Sequence, residues 1–196
     1  VPTWPRLFDL VSTKVAIQSD PLKGLGQKIM NLCPPPAKLL EVGCGSGILA
    51  GYFQDFGYQV VATDKDPAVL AYSRKRLMEE MLGLPVFLEC DAFNISGSLA
   101  EFKPFDACYS QGLLEHFSDD QIISLLAEQL ATAPLVIFSV PSENYPRQEF
   151  GDERNLPLAH WFGLMEQLKN SAEPTISYYG NSQHLLGILR RHDAVV

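Results

Sequence analysis

Glu41 stands two residues before Gly43, and Gly45 and Gly47 follow at alternate positions. The run Leu39-Leu40-Glu41-Val42 is short and mostly apolar behind Pro34-Pro35-Pro36, which predicts a buried parallel strand. The glycines then predict a turn, and Ile48 to Phe53 predicts a helix. A strand, a glycine turn and a helix start form a ligand cradle. Missing side chains let the backbone approach a ligand, and the first helical N–H groups are free to bind electronegative atoms. The spacing is Gly-x-Gly-x-Gly rather than the Gly-x-Gly-x-x-Gly of dinucleotide sites. A carboxylate at the end of an apolar strand needs a partner, because burying it alone is costly. An ammonium on the ligand would supply that partner, and a pyrophosphate would be repelled.

Leu39 to Gly47 closely resembles the first motif of the class I S-adenosylmethionine-dependent methyltransferases. The resemblance continues through Val60-Val61-Ala62-Thr63-Asp64, Glu89-Cys90-Asp91-Ala92 and Phe105-Asp106-Ala107-Cys108-Tyr109-Ser110, and so covers most of residues 36–142. It implies S-adenosylmethionine as cofactor and S-adenosylhomocysteine as product. It assigns cofactor contacts to Glu41, Gly43, Cys44, Gly45, Gly47, Asp64, Lys65, Asp91, Ala92, Ser110 and Gln111. Asp64 closes the second strand about 20 residues after the turn, where a carboxylate accepts both ribose hydroxyls. Asp91-Ala92 matches the position that reads adenine. The ordinary alternatives are a strand-end turn aspartate for Asp64 and a loop aspartate for Asp91. A nicotinamide oxidoreductase and a non-catalytic cofactor-binding regulator are the competing functional classes.

Methyl transfer needs a nucleophile held in line and, for some acceptors, a group that removes a proton. In the resembled family, Ser110-Gln111-Gly112-Leu113-Leu114-Glu115-His116-Phe117 lies where the methyl donor points. Glu115 and His116 are the acid/base candidates; the alternative is a histidine that orients backbone or cofactor. Tyr145, Arg147, Arg154, His160 and Trp161 are candidate substrate contacts. Arg147 and Arg154 are suited to gripping a carboxylate or phosphate, and pairing with Glu149, Asp152 or Glu153 is the ordinary alternative. His160 reads equally as a helix-start or core residue. There is no Asn-Pro-Pro-Tyr run, no Pro-Cys pair and no metal-ligand spacing.

These residues need a scaffold. Strand-like runs end at Val42, Asp64, Cys90, Ser110 and Val140, alternate with helical runs, and predict an α/β doubly wound, mostly parallel sheet with helices on both faces. Thr175 to Tyr179 and His184 to Leu189, joined at Gly180-Asn181, predict two more strands. The resemblance makes this a seven-stranded sheet whose last strand is antiparallel. The 196 residues read as a single domain: a helical lead-in over 1–33, a cofactor-binding core over 36–142 and a substrate lid over 142–161. Arg6 to Val11 is expected to open a first helix in that lead-in. His160-Trp161-Phe162 predicts the entry to a helix reaching about Lys169, and Val69, Leu70, Leu77, Met78 and Met81 predict one apolar helix face.

Hydrophobic residues make up 46% of the chain, enough for a sizeable core, and the formal charge is −8. That charge argues against nucleic-acid or anionic-membrane partners and for a small-molecule methyl acceptor. Cys33, Cys44, Cys90 and Cys108 form no CxxC pair and read as reduced buried thiols, which suggests a cytoplasmic setting. No apolar run has the length of a membrane span. No signal-peptide pattern is visible, but the chain opens at Val1 without Met, so an upstream piece stays open; so does the oligomeric state.

Overall fold

The computed structural model describes residues 20–146 and 151–192, with the side chains of 20–23 outside the description. The expected helix over Arg6 to Val11, and Arg147 with Glu149, fall outside the described residues. In chain order the elements are α1 (Asp20–Leu32), β1 (Lys38–Val42), α2 (Ile48–Asp55), β2 (Gln59–Asp64), α3 (Pro67–Glu79), β3 (Val86–Glu89), the single-turn α4 (Ile95–Ser98) and β4 (Ala107–Gln111). They continue with α5 (Asp119–Thr132), β5 (Leu135–Pro141), α6 (Leu158–Glu166), β6 (Ala172–Tyr179) and β7 (His184–Arg191).

The seven strands lie in the order β3-β2-β1-β4-β5-β7-β6. The first five pair in parallel, and β7 runs antiparallel to both β5 and β6. The order reverses at β1, where β2 lies on one side and β4 on the other. In such sheets the crevice beyond the carboxyl ends of the strands at the reversal is the ligand position.

Alternation along the central strands divides the core into two layers. Leu39, Val60, Ala62, Ala107, Tyr109 and Ile137 pack toward Leu25 and Ile29 of α1, Leu49 and Phe53 of α2 and Leu77 of α3. Leu40, Val42, Val61, Cys108, Val136 and Phe138 face the other way, onto Ile122, Leu125 and Leu126 of α5 and Trp161, Leu164 and Met165 of α6. A central strand covered on both faces must be apolar at nearly every position, which is why β5 is buried from Leu135 to Pro141. All four cysteines are free and buried, as their mostly strand-side positions suggested.

Some local expectations shift. Met78 and Met81 are 61% and 90% exposed, while Arg76 is buried. Helix α3 ends at Glu79, and Met81 follows at φ 55°, so its side chain leaves the helical stripe. Helix α6 ends at Glu166 rather than near Lys169. Strand β6 starts at Ala172, three residues early, and includes Pro174. Proline is tolerated there because β6 is an edge strand, pairing only with β7 among the described residues. Glu173, Thr175 and Ser177 are exposed along it.

Candidate active site

The turn after β1 is held in a shape that only glycine adopts easily. Gly43, Gly45 and Gly47 have φ of 69°, 49° and 68°. A β-carbon at Gly43 would meet Leu113 Cδ1 at 2.9 Å, and one at Gly47 would meet Phe87 and Ser73 at 3.1 Å. The turn is pinned to its neighbours. Cys44 N–H donates to Thr63 O at 2.8 Å, Gly47 N–H to Cys44 O at 2.8 Å, and Ser73 Oγ donates to Gly45 O. Ser73 belongs to α3, so that helix clamps the turn from outside.

Glu41 is 4% exposed, and its Oε2 has no hydrogen-bond partner. Burial pushes its carboxyl up to about 8, with the Tyr109 hydroxyl and the Ala50 N–H offsetting part of the effect and Asp64 adding to it. Tyr109 is beside it because Glu41 and Tyr109 are register partners in the parallel β1–β4 pair. The Thr63 hydroxyl donates to the Glu41 carbonyl at 3.0 Å.

Asp64 ends β2 next to the turn. Its Oδ2 accepts the Gly45 N–H at 3.3 Å and its Oδ1 accepts the Asp66 N–H at 3.1 Å. Burial raises its pKa, partly offset by those N–H groups. Lys65 is exposed beside it. Asp91 caps the short turn Ala92–Asn94 with Oδ1 accepting the Phe93 N–H at 2.9 Å. Ala92 follows at the same mouth, half-buried. Ser110 is 1% exposed with an unpartnered Oγ, and Gln111 is half-buried at the end of β4. The cofactor residues expected from the sequence therefore gather around the ends of β1, β2, β3 and β4.

These groups fit a ligand with a cationic amine and a ribose. The orphaned Glu41 oxygen offers an ammonium its partner, the crowded glycines leave room only for backbone approach, and Asp64 offers two acceptors to a diol.

Beyond β4 the chain bends at Gly112, φ 63°, whose N–H donates to Ser139 O of β5 at 3.1 Å. Glu115 lies on the next turn, 4% exposed, with Oε2 unpartnered. Burial pushes it up to about 8; its own backbone N–H offsets this, and the charges of Glu153 and Asp152 add to it. The His116 side chain is mostly buried, with Nδ1 2.9 Å from Asp152 Oδ1.

The segment after β5 is tied down at both described ends. Ser142 N–H donates to Gln183 O at 2.9 Å and Ser142 Oγ to Ser182 O at 2.6 Å, both in the β6–β7 turn. At the far end, Arg154 N–H donates to Glu115 O at 2.9 Å. The Arg154 guanidinium donates to Asp119 Oδ1 and to Phe117 O, each at 2.7 Å. Asp119 Oδ2 also meets His160 Nε2 at 3.0 Å, and Arg154 first, then His160, hold the Asp119 carboxyl below its usual range. Arg154 and His160 are thus joined by a helix-start carboxylate, Asp119.

Tyr145 packs edge-on against His184, centroids 5.0 Å apart. Trp161 is fully buried against Phe138, 5.6 Å between centroids, in the core under α6 and away from the site surface. Sequence reasoning passed over Tyr109, Ser73, Asp119, Ser139 and Tyr179. The register of β1 against β4 was the signal for Tyr109; the others meet the site only through tertiary packing.

Residues 40–129 match the family model described as a methyltransferase domain. Over that stretch, a little under half of its length, the chain is similar to methyltransferases. The chain shares its fold with solved structures of magnesium protoporphyrin IX methyltransferase that hold S-adenosylmethionine or S-adenosylhomocysteine. Among curated proteins it is similar to a protein-L-isoaspartate O-methyltransferase of Chlorobium limicola, 25% identical over 141 residues, covering 70% of this chain and 61% of that protein. It is also similar to a ubiquinone biosynthesis O-methyltransferase of Idiomarina loihiensis, 30% identical over 110 residues, covering 55% and 43%. The chain thus spans about three-fifths or less of the length of these relatives. Its fold matches magnesium protoporphyrin IX methyltransferase from Synechocystis at a TM-score of 0.68, with 13% identity, covering 86% of this chain and 80% of that one. No helix among the described residues is long and apolar enough to cross a membrane, and none of their side chains cluster as a metal site.

Proposed function

We propose that this chain transfers the methyl group of S-adenosylmethionine to a small-molecule acceptor. The observation that carries this reading is Glu41 Oε2, buried and unpartnered beside the glycine turn. When bound, the cofactor supplies an activated methyl group and a neutral leaving group. Glu41 holds the amino end, Asp64 accepts the ribose hydroxyls, and Asp91 with the Ala92 N–H reads the adenine edge. Lys65, Cys44, Ser110 and Gln111 line the same mouth.

Glu115 and His116 serve the acceptor. Glu115 is the inner, desolvated carboxyl, and His116 stands at the rim, oriented by Asp152. The segment from Ser142 to Arg154 is a substrate lid anchored at the β6–β7 turn and at Glu115. The net charge of −8 supports a small acceptor over a nucleic acid, because a polyanion loses affinity on an acidic surface.

Titration calorimetry tests the core of this reading. S-adenosylhomocysteine should bind in the micromolar range and NAD should not. Tight NAD binding with no response to S-adenosylhomocysteine would sink it.

A further inference from the structure

Helix α3 reaches the cofactor turn through one side chain. Ser73 is fully buried in the second turn of that helix. Its Oγ donates to the Gly45 carbonyl across the fold and to the Val69 carbonyl one turn back, the latter at 2.8 Å. The Val69 bond is local and is open to any helical serine, whereas the Gly45 bond exists only in this packing. The turn also lies directly on the residue. A β-carbon at Gly47 would stand 3.1 Å from Ser73 Cβ. Alanine at position 73 would keep that packing and lose only the hydroxyl.

Gly45 is held from a second side. Its N–H donates to Asp64 Oδ2 at 3.3 Å, and Asp64 Oδ1 accepts the Asp66 N–H at 3.1 Å. Asp66 is the N-cap of α3, with its side chain accepting the Ala68 N–H at 2.8 Å. The bonds therefore close a ring. Ser73 holds Gly45, Gly45 meets Asp64, Asp64 meets Asp66, and α3 runs from Asp66 back to Ser73. Each carboxylate oxygen of Asp64 takes one N–H, and the same helix fixes both donors. The Gly45 bond is the weaker. At 3.3 Å it lies beyond the usual N–H···O range, so a shift of a few tenths of an ångström in the turn breaks it. The Cys44 N–H on Thr63 O fixes the entry to the turn, and Ser73 fixes the Gly45 carbonyl.

We propose that Ser73 is a positioning residue for the ribose of the cofactor. By holding the Gly45 carbonyl it keeps the Gly45 N–H on Asp64, and so keeps the Asp64 carboxylate turned to accept a diol. This rests on the methyl-transfer reading above. Ser73 acts through Asp64 rather than on the cofactor itself. Without the hydroxyl the turn stays filled, but the carboxylate is free to rotate and must be ordered again on binding. That ordering offsets part of what the two ribose hydroxyls contribute. The loss falls mainly on ligands that carry both hydroxyls.

Calorimetry with S-adenosylhomocysteine and its 2′-deoxy counterpart tests this. The wild-type protein should prefer the ribose form by about tenfold or more, the scale of one hydrogen bond to a charged group. Ser73→Ala should weaken S-adenosylhomocysteine by roughly three- to tenfold and the deoxy compound by less than about twofold, so the preference shrinks. In an Asp64→Ala background the same change should move neither ligand by more than about twofold, because the carboxylate it acts through is gone. Ser73→Cys, a weaker donor of similar size, should fall between serine and alanine, and it carries the test if the alanine variant does not fold. Equal weakening of both ligands by Ser73→Ala would make the residue part of the packing alone and overturn the proposal. So would unchanged affinity for both, a loss of the same size in the Asp64→Ala background, or no ribose preference in the wild type. Failure of the wild-type protein to bind S-adenosylhomocysteine at all would instead refute the methyl-transfer reading.

Discussion

The two halves of the site are built in different ways. The cofactor half is mostly backbone: three glycines at positive φ, N–H groups on Asp64 and Asp91, and a turn clamped by Ser73. The half proposed to receive the acceptor is mostly side chains that meet over long separations, such as Arg154 on Asp119 and Tyr179 on Ser139. The first kind of construction tolerates few substitutions and binds one ligand shape. The second can be rebuilt residue by residue without moving the sheet.

The sharpest way to break the comparison is to cross the halves. Glu115→Gln should lower turnover by roughly 10²–10⁴-fold and leave cofactor affinity nearly intact, measured by steady-state kinetics beside calorimetry. Asp64→Ala should do the reverse. It should weaken S-adenosylhomocysteine by about 1.5–3 kcal/mol, the scale of hydrogen bonds involving a charged group, with the acceptor KM little changed. If either variant damaged both functions equally, the division would not exist.

A pH series sharpens it further. Glu41 and Glu115 are both raised from 4.5 to about 8 by burial, so the folded state binds more protons than the unfolded chain between those values. Their contribution to stability is therefore present at the acidic end of that window and is lost as pH rises toward about 8. Thermal melts of the ligand-free protein should show this decline. Glu115→Gln should flatten it in part, and S-adenosylhomocysteine should flatten the share that belongs to Glu41. A slope unchanged by both would mean that neither carboxyl titrates as described.

The smallest effect is expected at the lid anchor. Arg154→Ala removes a partly exposed ion pair and should cost within about 1 kcal/mol in urea unfolding, while speeding hydrogen exchange in residues 142–156. A loss of several kcal/mol would make the anchor part of the core.

The same division decides what the sequence disclosed. The strand, glycine turn and helix from Leu39 to Phe53 are contiguous, so spacing conveyed their shape, and the family resemblance they carry supplied the expected ligand. Asp64 and Asp91 were legible because strand ends fall at the crevice in any doubly wound sheet. Glu115 was singled out by its place in the family motif, but its burial was not, since burial is set by tertiary packing that includes the distant segment bonded to it through the Arg154 N–H. Trp161 looked like a substrate contact beside His160, yet neighbours on a helix point about 100° apart, and Trp161 faces the core while His160 faces Asp119. Tyr179 and His184 were read only as closing strands, because nothing local ties them to Ser139 and Tyr145.

Strand β6 has a further consequence. Eight residues long and at the rim of the sheet, it is the kind of surface on which another polypeptide adds a strand. Pro174 breaks the row of donors such an addition would use, and Glu173 would face its own copy with like charge in a homotypic pairing. An edge strand carrying a proline and an exposed charge is a poor template for a strand from another chain, so the strand that bears Tyr179 also disfavours edge-to-edge association.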